Sequence, residues 1–521
     1  MKRGSVSIAA RVVALGAWVA ASAFTSVAWA QATLVDPTLK VTTVVAGLSQ
    51  PIAMAFIGPN DILVTEKASG QVKRVTNGAV SGVVLDLAVN SNSERGLLGM
   101  ALHPRFPRKP YVYLYNTEST TGADTNVVAN VPLLGNRVDR FVWNGSTLSF
   151  DRNILQLRSF QNDRNNVANP ALPVLRGNHN GGVLSFGPDR KLYVVIGDVG
   201  RRGFMQNVLN GPVPDDEFGG PAPDDAHLTG VILRLNADGS TPRSNPFYRI
   251  GRRGDHDDHD RDHDDDDDHD GERHAAKHRS SSLGPISDEV RKNLQQVFAY
   301  GVRNSFGMAF DPKRGDLWTT ENGGRAFDEI NRVRPGFNGG WVQLMGPIER
   351  VHEYKQIEVG VGFGANGPAG LQQMRFLPSS IADTPEQARE RALRLPGSRL
   401  TDPAFSWKQV VPPAGLGFVD GDALGAQYDG DLIVGSAVAR ATNAGHLYRF
   451  RLNHKRTGFK FDDPRLQDKV ADNLALDDFT TEGEEILWGR NFGVVTHIET
   501  GPDGALYLVS PSAGSIRKIS K

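Results

Sequence analysis

Gly181-Gly-Val-Leu-Ser-Phe-Gly-Pro-Asp189, followed by Leu192-Tyr-Val-Val-Ile196, is an apolar strand, a Pro/Asp turn and a second apolar strand. The same phrase returns along the chain. Earlier copies are Ile52 to Pro59 with Ile62 to Glu66, and Leu97 to Pro104 with Tyr111 to Leu114. Later copies are Phe306 to Pro312 with Leu317 to Thr320, Leu416 to Asp420 with Leu432 to Val434, and Ile498 to Gly504 with Leu506 to Val509. Short β-branched and aromatic runs around turn residues are antiparallel strands, and self-similarity at this spacing is a solenoid or a propeller. Six copies predict an all-β, six-bladed β-propeller with long inter-strand loops. The strand-like ends, Leu39 to Val45 and Ser515 to Ser520, are placed to pair in one blade and close the ring.

The register of the repeat picks out candidate site residues. Nine positions before the turn proline stand Gln50, Arg95, His179, Arg303 and Gly493, with Val411 in the copy that lacks the proline. The innermost strand of a blade borders the central channel, so these positions form a ring at one channel mouth. A His and two Arg in that ring suit an anionic ligand and proton transfer; the alternative is that they satisfy loop carbonyls.

A chain of 521 residues would ordinarily divide into several domains, but a propeller is one closed unit. Lys2 and Arg3, the apolar run Val12 to Phe24, and Ala28-Trp29-Ala30 read as a signal peptide over 1–30, cleaved near Ala30, with 31–521 as the propeller. The expected location is periplasmic or secreted, and no other segment is long enough to span a bilayer. With 0 cysteines, disulfides, thiolate catalysis and Cys-ligated metals are excluded. The net charge of −1 conceals an acidic tract, Asp255 to Asp270; without it and the leader, 54 basic residues face 48 acidic ones. That balance does not point to nucleic acid. The tract lies in a His/Asp-rich insert over about 248–285, expected to be disordered; it reads either as a divalent-metal-binding tract or as a solvated acidic loop with only weak metal binding. Residues 287–298 and 383–394 read as short helices, the second capped by Asp383 or Thr384.

Three clusters could carry chemistry. In Gly177-Asn178-His179-Asn180-Gly181-Gly182 the His is a candidate general base. In Gly301-Val-Arg303-Asn304 the guanidinium could hold a carboxylate or stabilise developing negative charge. In Glu321-Asn322-Gly323-Gly324 the glycine backbone could offer carbonyl oxygens to Ca²⁺, with Asp328 and Glu329 adding carboxylates. The alternative for the last cluster is a loop capped by its own acids.

These phrases resemble the soluble quinoprotein glucose/sorbosone dehydrogenases. The matching stretches include Glu94 to Pro104, Asn178 to Gly182, Phe186 to Tyr193, Gly230 to Gly239, Ser244 to Phe247, Ala299 to Asn304 and Glu321 to Asn331. The resemblance spans roughly 40–520 apart from the acidic insert. It implies pyrroloquinoline quinone (PQQ) and Ca²⁺ as cofactors. His179 takes the place of the catalytic base, and Arg303 and Asn304 that of the pair contacting quinone and substrate. Gly323 and Gly324 take the place of the Ca²⁺ ligands, Trp407 that of the aromatic wall of the sugar pocket, and Gln409 falls near a cofactor contact. Glu94 and Asn178 fall at the substrate.

This sequence also departs from the pattern. Glu94 stands where the glucose enzymes have Gln. Val438 aligns with a blade-five Lys, for which Arg440 is the nearest replacement. Val494-Val-Thr496 aligns with an Arg-x-Arg pair that holds PQQ carboxylates. The implied function is an exported sugar dehydrogenase oxidising an aldose or a related polyol or aldehyde. His179 would take the hydroxyl proton as hydride passes to the quinone, and a periplasmic electron acceptor would regenerate it. The alternatives are a non-catalytic propeller that binds carbohydrate or a partner, and a Ca²⁺-dependent lactonase on the same fold.

Overall fold

Each copy of the repeat forms the first two strands of its own sheet. The computed structural model describes residues 31–160, 177–200, 204–207, 228–250, 287–360, 381–436, 445–473 and 481–521. Residues 1–30, expected to be a leader, nearly all of the acidic insert, and Arg440 with Val438 lie outside the described residues.

The strands group into six sheets. Sheet one is Pro51–Gly58, Asp61–Glu66, Gln71–Thr76 and Ala79–Asp86. Sheet two is Leu97–Leu102, Tyr111–Thr117, Asn136–Trp143 and Leu148–Leu157. Sheet three begins Leu184–Phe186, Leu192–Ile196, Val231–Leu235 and Val297–Tyr300. Sheet four begins Gly307–Phe310, Leu317–Glu321, Ala326–Val333 and Phe405–Gln409. Sheet five begins Pro413–Phe418, Leu432–Ser436, Leu447–Phe450 and Leu487–Arg490. Sheet six is His497–Thr500, Leu506–Ser510 and Ser515–Ser520, completed by Lys40–Ala46 from the other end of the chain. That last pairing is antiparallel, from Lys40 opposite Ser520 to Ala46 opposite Ser515, as the strand-like ends suggest.

The architecture is a β-propeller, because these sheets pack face to face in chain order. Leu63, Leu97 and Val112 belong to an apolar cluster between sheets one and two. Further clusters lie between two and three, three and four, four and five, and five and six. Val64, Val75 and Val509 close the ring between six and one. Burial on both faces explains why the inner strands read as continuous apolar runs; Leu192 to Ile196 is buried at every position. The outermost strand of sheet one faces solvent along most of its length.

The first strands of all six sheets line one central cavity of about 400 Å³. Crowding at this axis requires small residues. A methyl on Gly99 of sheet two would lie 1.9 Å from the Gly182 carbonyl oxygen beside sheet three, so only glycine permits that approach.

Both predicted helices form. Helix α1 (Asp288–Gln296) starts at Ser287, whose hydroxyl accepts the Val290 N–H. A second helix, α2 (Val351–Gly360), has no counterpart in the sequence reading. Helix α3 (Pro385–Arg391) is capped by Thr384, whose hydroxyl accepts the Gln387 N–H. Helices α2 and α3 pack with Trp341, Val342 and Met345 in a separate apolar cluster, which includes Phe327 of sheet four.

Candidate active site at the channel mouth

His179 enters just before sheet three with φ of 61°, a left-handed conformation seldom adopted by residues other than glycine. Its backbone N–H donates to Glu94 Oε2 at 2.5 Å, which ties the loop to sheet two. Its ring Nδ1 is 2.8 Å from Asp198 Oδ1. Asp198 is fully buried and also accepts the Gly200 N–H at 2.7 Å and the Trp341 indole N–H at 2.7 Å. With the Gly200 and Trp341 N–H groups both donating to it, the Asp198 carboxyl is set to accept from His179 as well, which makes Nδ1 the protonated ring nitrogen. This tautomer puts the lone pair on Nε2, as a base requires.

Arg303 is brought beside His179 by the end of sheet three's second strand. A methyl on Gly197 would lie 2.4 Å from the Arg303 carbonyl oxygen and 2.7 Å from His179 Cβ, so the two residues flank a glycine that leaves them room. The Asp198 N–H donates to the Arg303 carbonyl at 2.8 Å. The Arg303 guanidinium lies 5.3 Å from the Trp341 ring, and its Nη1 donates to the carbonyls of Asn322 at 2.6 Å and Gly323 at 2.9 Å. His179, Asp198, Trp341 and Arg303 thus form one connected group. Arg303 Nε and Asn304 Oδ1 are buried without a hydrogen-bond partner among the described residues.

The carboxylates of sheet four are placed differently from the expectation. Asp328 accepts the N–H groups of Gly323 and Val411 at 2.7 and 2.6 Å; Glu329 accepts Gly346 N–H at 2.5 Å and Asn331 Nδ2 at 2.8 Å. Both oxygens of each are therefore engaged in tying the fold together. Neighbouring strand residues project to opposite faces, so the two do not converge on the Gly323 and Gly324 carbonyls. Burial pushes Asp328 up to about 8 and Glu329 up to about 7. Glu321, which accepts the Arg303 N–H, is raised by burial and then by the Glu329 charge. Among the described residues no three His, Asp or Glu side chains assemble as a metal site.

Trp407 also departs from its expected role. It is 1% exposed and packs in the core between sheets four and five, with Phe405 at 5.0 Å and Tyr448 at 5.2 Å between ring centroids. A side chain at an inter-sheet position is taken up by packing and does not wall a sugar pocket. Gln409 ends the same strand opposite Ala326, with its backbone bonded to the Asn473 amide. Asn178 is half-buried and accepts the Ser93 hydroxyl at 2.8 Å. Val494 bonds to Ser512 through its N–H, and the Thr496 hydroxyl donates to the Ile52 carbonyl at 2.7 Å.

The sequence reading missed Asp198, Trp341 and Lys67. Asp198 was visible in the repeat. An acid stands at the end of the second strand as Glu66 in sheet one and Glu321 in sheet four, and just past it as Asp198 in sheet three. In each case it holds the loop before the first strand: Glu66 accepts the Ser49 N–H, Asp198 the His179 ring, and Glu321 the Arg303 N–H. Trp341 arrives from a loop distant in sequence and carried no local signal. Lys67 lines a cavity of about 190 Å³ with Ser93, Glu94, Gly181, Phe306 and Thr496, and Glu94 joins that wall to the His179 loop.

A family profile described as Glucose / Sorbosone dehydrogenase matches residues 48–258 and 250–366. The quinoprotein glucose dehydrogenase B of Acinetobacter calcoaceticus is 27% identical over 312 residues, 58% of this chain and 52% of that protein. The chain therefore spans about half the length of this relative. An aldose sugar dehydrogenase of Escherichia coli K12 is 22% identical over 480 residues, 91% of this chain and 90% of that one. The crystal structure of the soluble aldose sugar dehydrogenase of Escherichia coli in its apo-form has the same fold, with a TM-score of 0.54 at 20% identity over 92% of this chain and 99% of that chain.

Proposed function

The chain belongs to the glucose/sorbosone dehydrogenase family, and on that premise we propose that it is an exported PQQ-dependent dehydrogenase that oxidises an aldose at its anomeric carbon to the lactone. The observation that carries the reading is the His179–Asp198 pair beside Arg303, which we assign to one mouth of the channel. Two orphaned buried atoms there, Arg303 Nε and Asn304 Oδ1, suit a planar ligand bearing both acceptors and donors. PQQ is such a ligand, and Arg303, Asn304 and Gln409 are the residues we assign to it. Gly323 and Gly324 are the residues we assign to Ca²⁺, through carbonyl oxygen, the hard donor it takes; the Gly323 carbonyl also accepts Arg303 Nη1 at 2.9 Å, and the Asp328 bond to the Gly323 N–H keeps that turn in shape. We further propose that each of the six sheets is one blade; the apolar clusters that close the ring support this count. Export rests on the leader over 1–30, and a periplasmic electron acceptor follows from it.

When bound, PQQ supplies the two-electron acceptor. His179 Nε2 takes the proton of the anomeric hydroxyl while the same carbon loses its hydride. Asp198 stabilises the imidazolium that results, as a buried hydrogen-bonded carboxylate does. Arg303 holds negative charge on a ligand oxygen against the face of Trp341. Glu94 and Asn178 orient the sugar from the neighbouring loop. The aldose loses two electrons and two hydrogens in all and becomes the lactone; the periplasmic acceptor takes up the electrons.

The test is reconstitution of the purified full-length protein with PQQ and Ca²⁺, followed by quinone absorbance and dye-linked oxidation of a panel of aldoses. Saturable PQQ binding with turnover of at least one aldose is the expected result. Absence of PQQ binding would favour the non-catalytic carbohydrate-binding propeller, a reading that the uncharged Val494 and Thr496 also suit.

A further inference from the structure

The cavity beside Glu94 contains a charge that the proposed chemistry leaves unused. Lys67 follows the second strand of sheet one and reaches the cavity wall, half-buried. Its ammonium donates to the Ser91 carbonyl at 3.0 Å, and among the described residues no carboxylate is recorded within ion-pair distance of it. Glu94 shares the wall, but its Oε2 is committed to the His179 N–H. Burial draws the Lys67 pKa down; Glu94 opposes that shift and Arg95 adds to it. Arg95 itself is 1% exposed and does not line the cavity; its Nε and Nη1 donate to the carbonyls of Ser159 and Asn92, and its Nη2 is buried without a hydrogen-bond partner among the described residues. Across the cavity, the Thr496 hydroxyl is held by Ile52, and the floor is apolar, with Leu98, Met100 and Phe306. Lys67 is thus the one Lys or Arg side chain among the described lining residues.

A half-buried ammonium with one backbone acceptor, and with Glu94 near it but not at ion-pair distance, keeps two N–H groups for a ligand in the cavity. A hydroxyl would satisfy one of them; a carboxylate makes the stronger, charge-assisted bonds. We propose that Lys67 anchors a carboxylate of the ligand that fills this cavity, supplying from sheet one the positive charge that sheet six lacks at Val494 and Thr496. The inference rests on the reading of the mouth as a ligand site. The carboxylate could belong to the cofactor or to an acidic sugar; the chemistry at Lys67 is the same.

The experiment compares full-length wild type with Lys67→Met and Lys67→Arg, each first checked for an unchanged thermal melt. PQQ is titrated into each apoprotein with Ca²⁺ in excess and followed by tryptophan fluorescence. D-glucuronate and D-glucose are then titrated calorimetrically. Loss of one charge-assisted hydrogen bond weakens a ligand by roughly 10-fold or more. If the carboxylate is the cofactor's, K67M raises the PQQ Kd by that factor, K67R restores it within about 3-fold, and the ratio of glucuronate to glucose affinity does not move. If it is the substrate's, K67M weakens glucuronate alone and PQQ binds as before. A folded K67M that binds both carboxylates like wild type overturns the inference, as does a wild type that binds neither. A wild type that binds glucuronate but not PQQ would sink the dehydrogenase reading while leaving Lys67 its role.

Discussion

At the scale of single residues, the chemistry depends on which nitrogen of His179 carries the proton. Asp198 determines this through the 2.8 Å contact with Nδ1. His179→Ala should therefore cut turnover by ~10²–10⁴-fold, the range for loss of a general base, with PQQ absorbance retained. Asp198→Asn should lower kcat by ~10²-fold or more with KM little changed, because an amide no longer favours the Nδ1–H tautomer. Full steady-state activity in either variant would remove the mechanism. A second histidine serves as a stability probe away from the site. Burial, assisted by the Arg490 charge, lowers the pKa of His446 to about 4. An unfolded histidine titrates near 6.5, so between these values the unfolded chain binds a proton that the folded chain refuses. Stability thus falls as pH drops through that window and is indifferent to His446 above it. Urea midpoints measured from pH 7 to 4 should fall less steeply in His446→Phe than in wild type; parallel curves would refute the assignment.

At the scale of elements, what counts is how strands approach one another. The loops before the first strands are held by the acids at or just past the ends of the second strands, Glu66, Asp198 and Glu321. This device is periodic and so was legible in the repeat once the second strands were aligned. The glycines of the inner strands obey a related rule. Gly99→Ala puts a methyl 1.9 Å from the Gly182 carbonyl oxygen and should cost about 3 kcal/mol or more as overpacking, or prevent folding. Gly82→Ala lies on the outer strand of sheet one with nothing within 4 Å and should change stability by less than about 0.5 kcal/mol. Denaturant unfolding of the two proteins distinguishes a packing demand from a general intolerance of substitution. Trp407 shows where element-level reasoning failed: alignment gave it a pocket role, yet its strand is the fourth of sheet four, where side chains fill the space between sheets.

At the scale of the whole molecule, stability rests on ring closure. The chain contains no disulfide, having 0 cysteines, and its two ends meet in sheet six, where Ser515–Ser520 lies between Lys40–Ala46 and Leu506–Ser510. Removing 515–521 would strip the fully buried Ile516 and Ile519, worth ~3–6 kcal/mol by area, and expose two strand edges to aggregation. The truncated protein should melt well below the full chain or fail to stay soluble, and light scattering with circular dichroism would register either outcome. A truncated protein with the wild-type melting temperature would mean that sheet six does not hold the ring.

The sequence by itself determined the strand pairs, their order, the two short helices and the equivalent register of His179 and Arg303, because all of these are local or periodic properties that recur in register. Only the tertiary structure decided what surrounds those residues. Trp341 comes to Asp198 from a loop 143 positions away, Asp328 and Glu329 are spent on backbone N–H groups, and Lys67 turns into the cavity. Such pairings are set by the angle at which neighbouring sheets pack and by the loops that cross between them. Neither leaves a period in the chain, since each is a contact made once between residues distant in sequence.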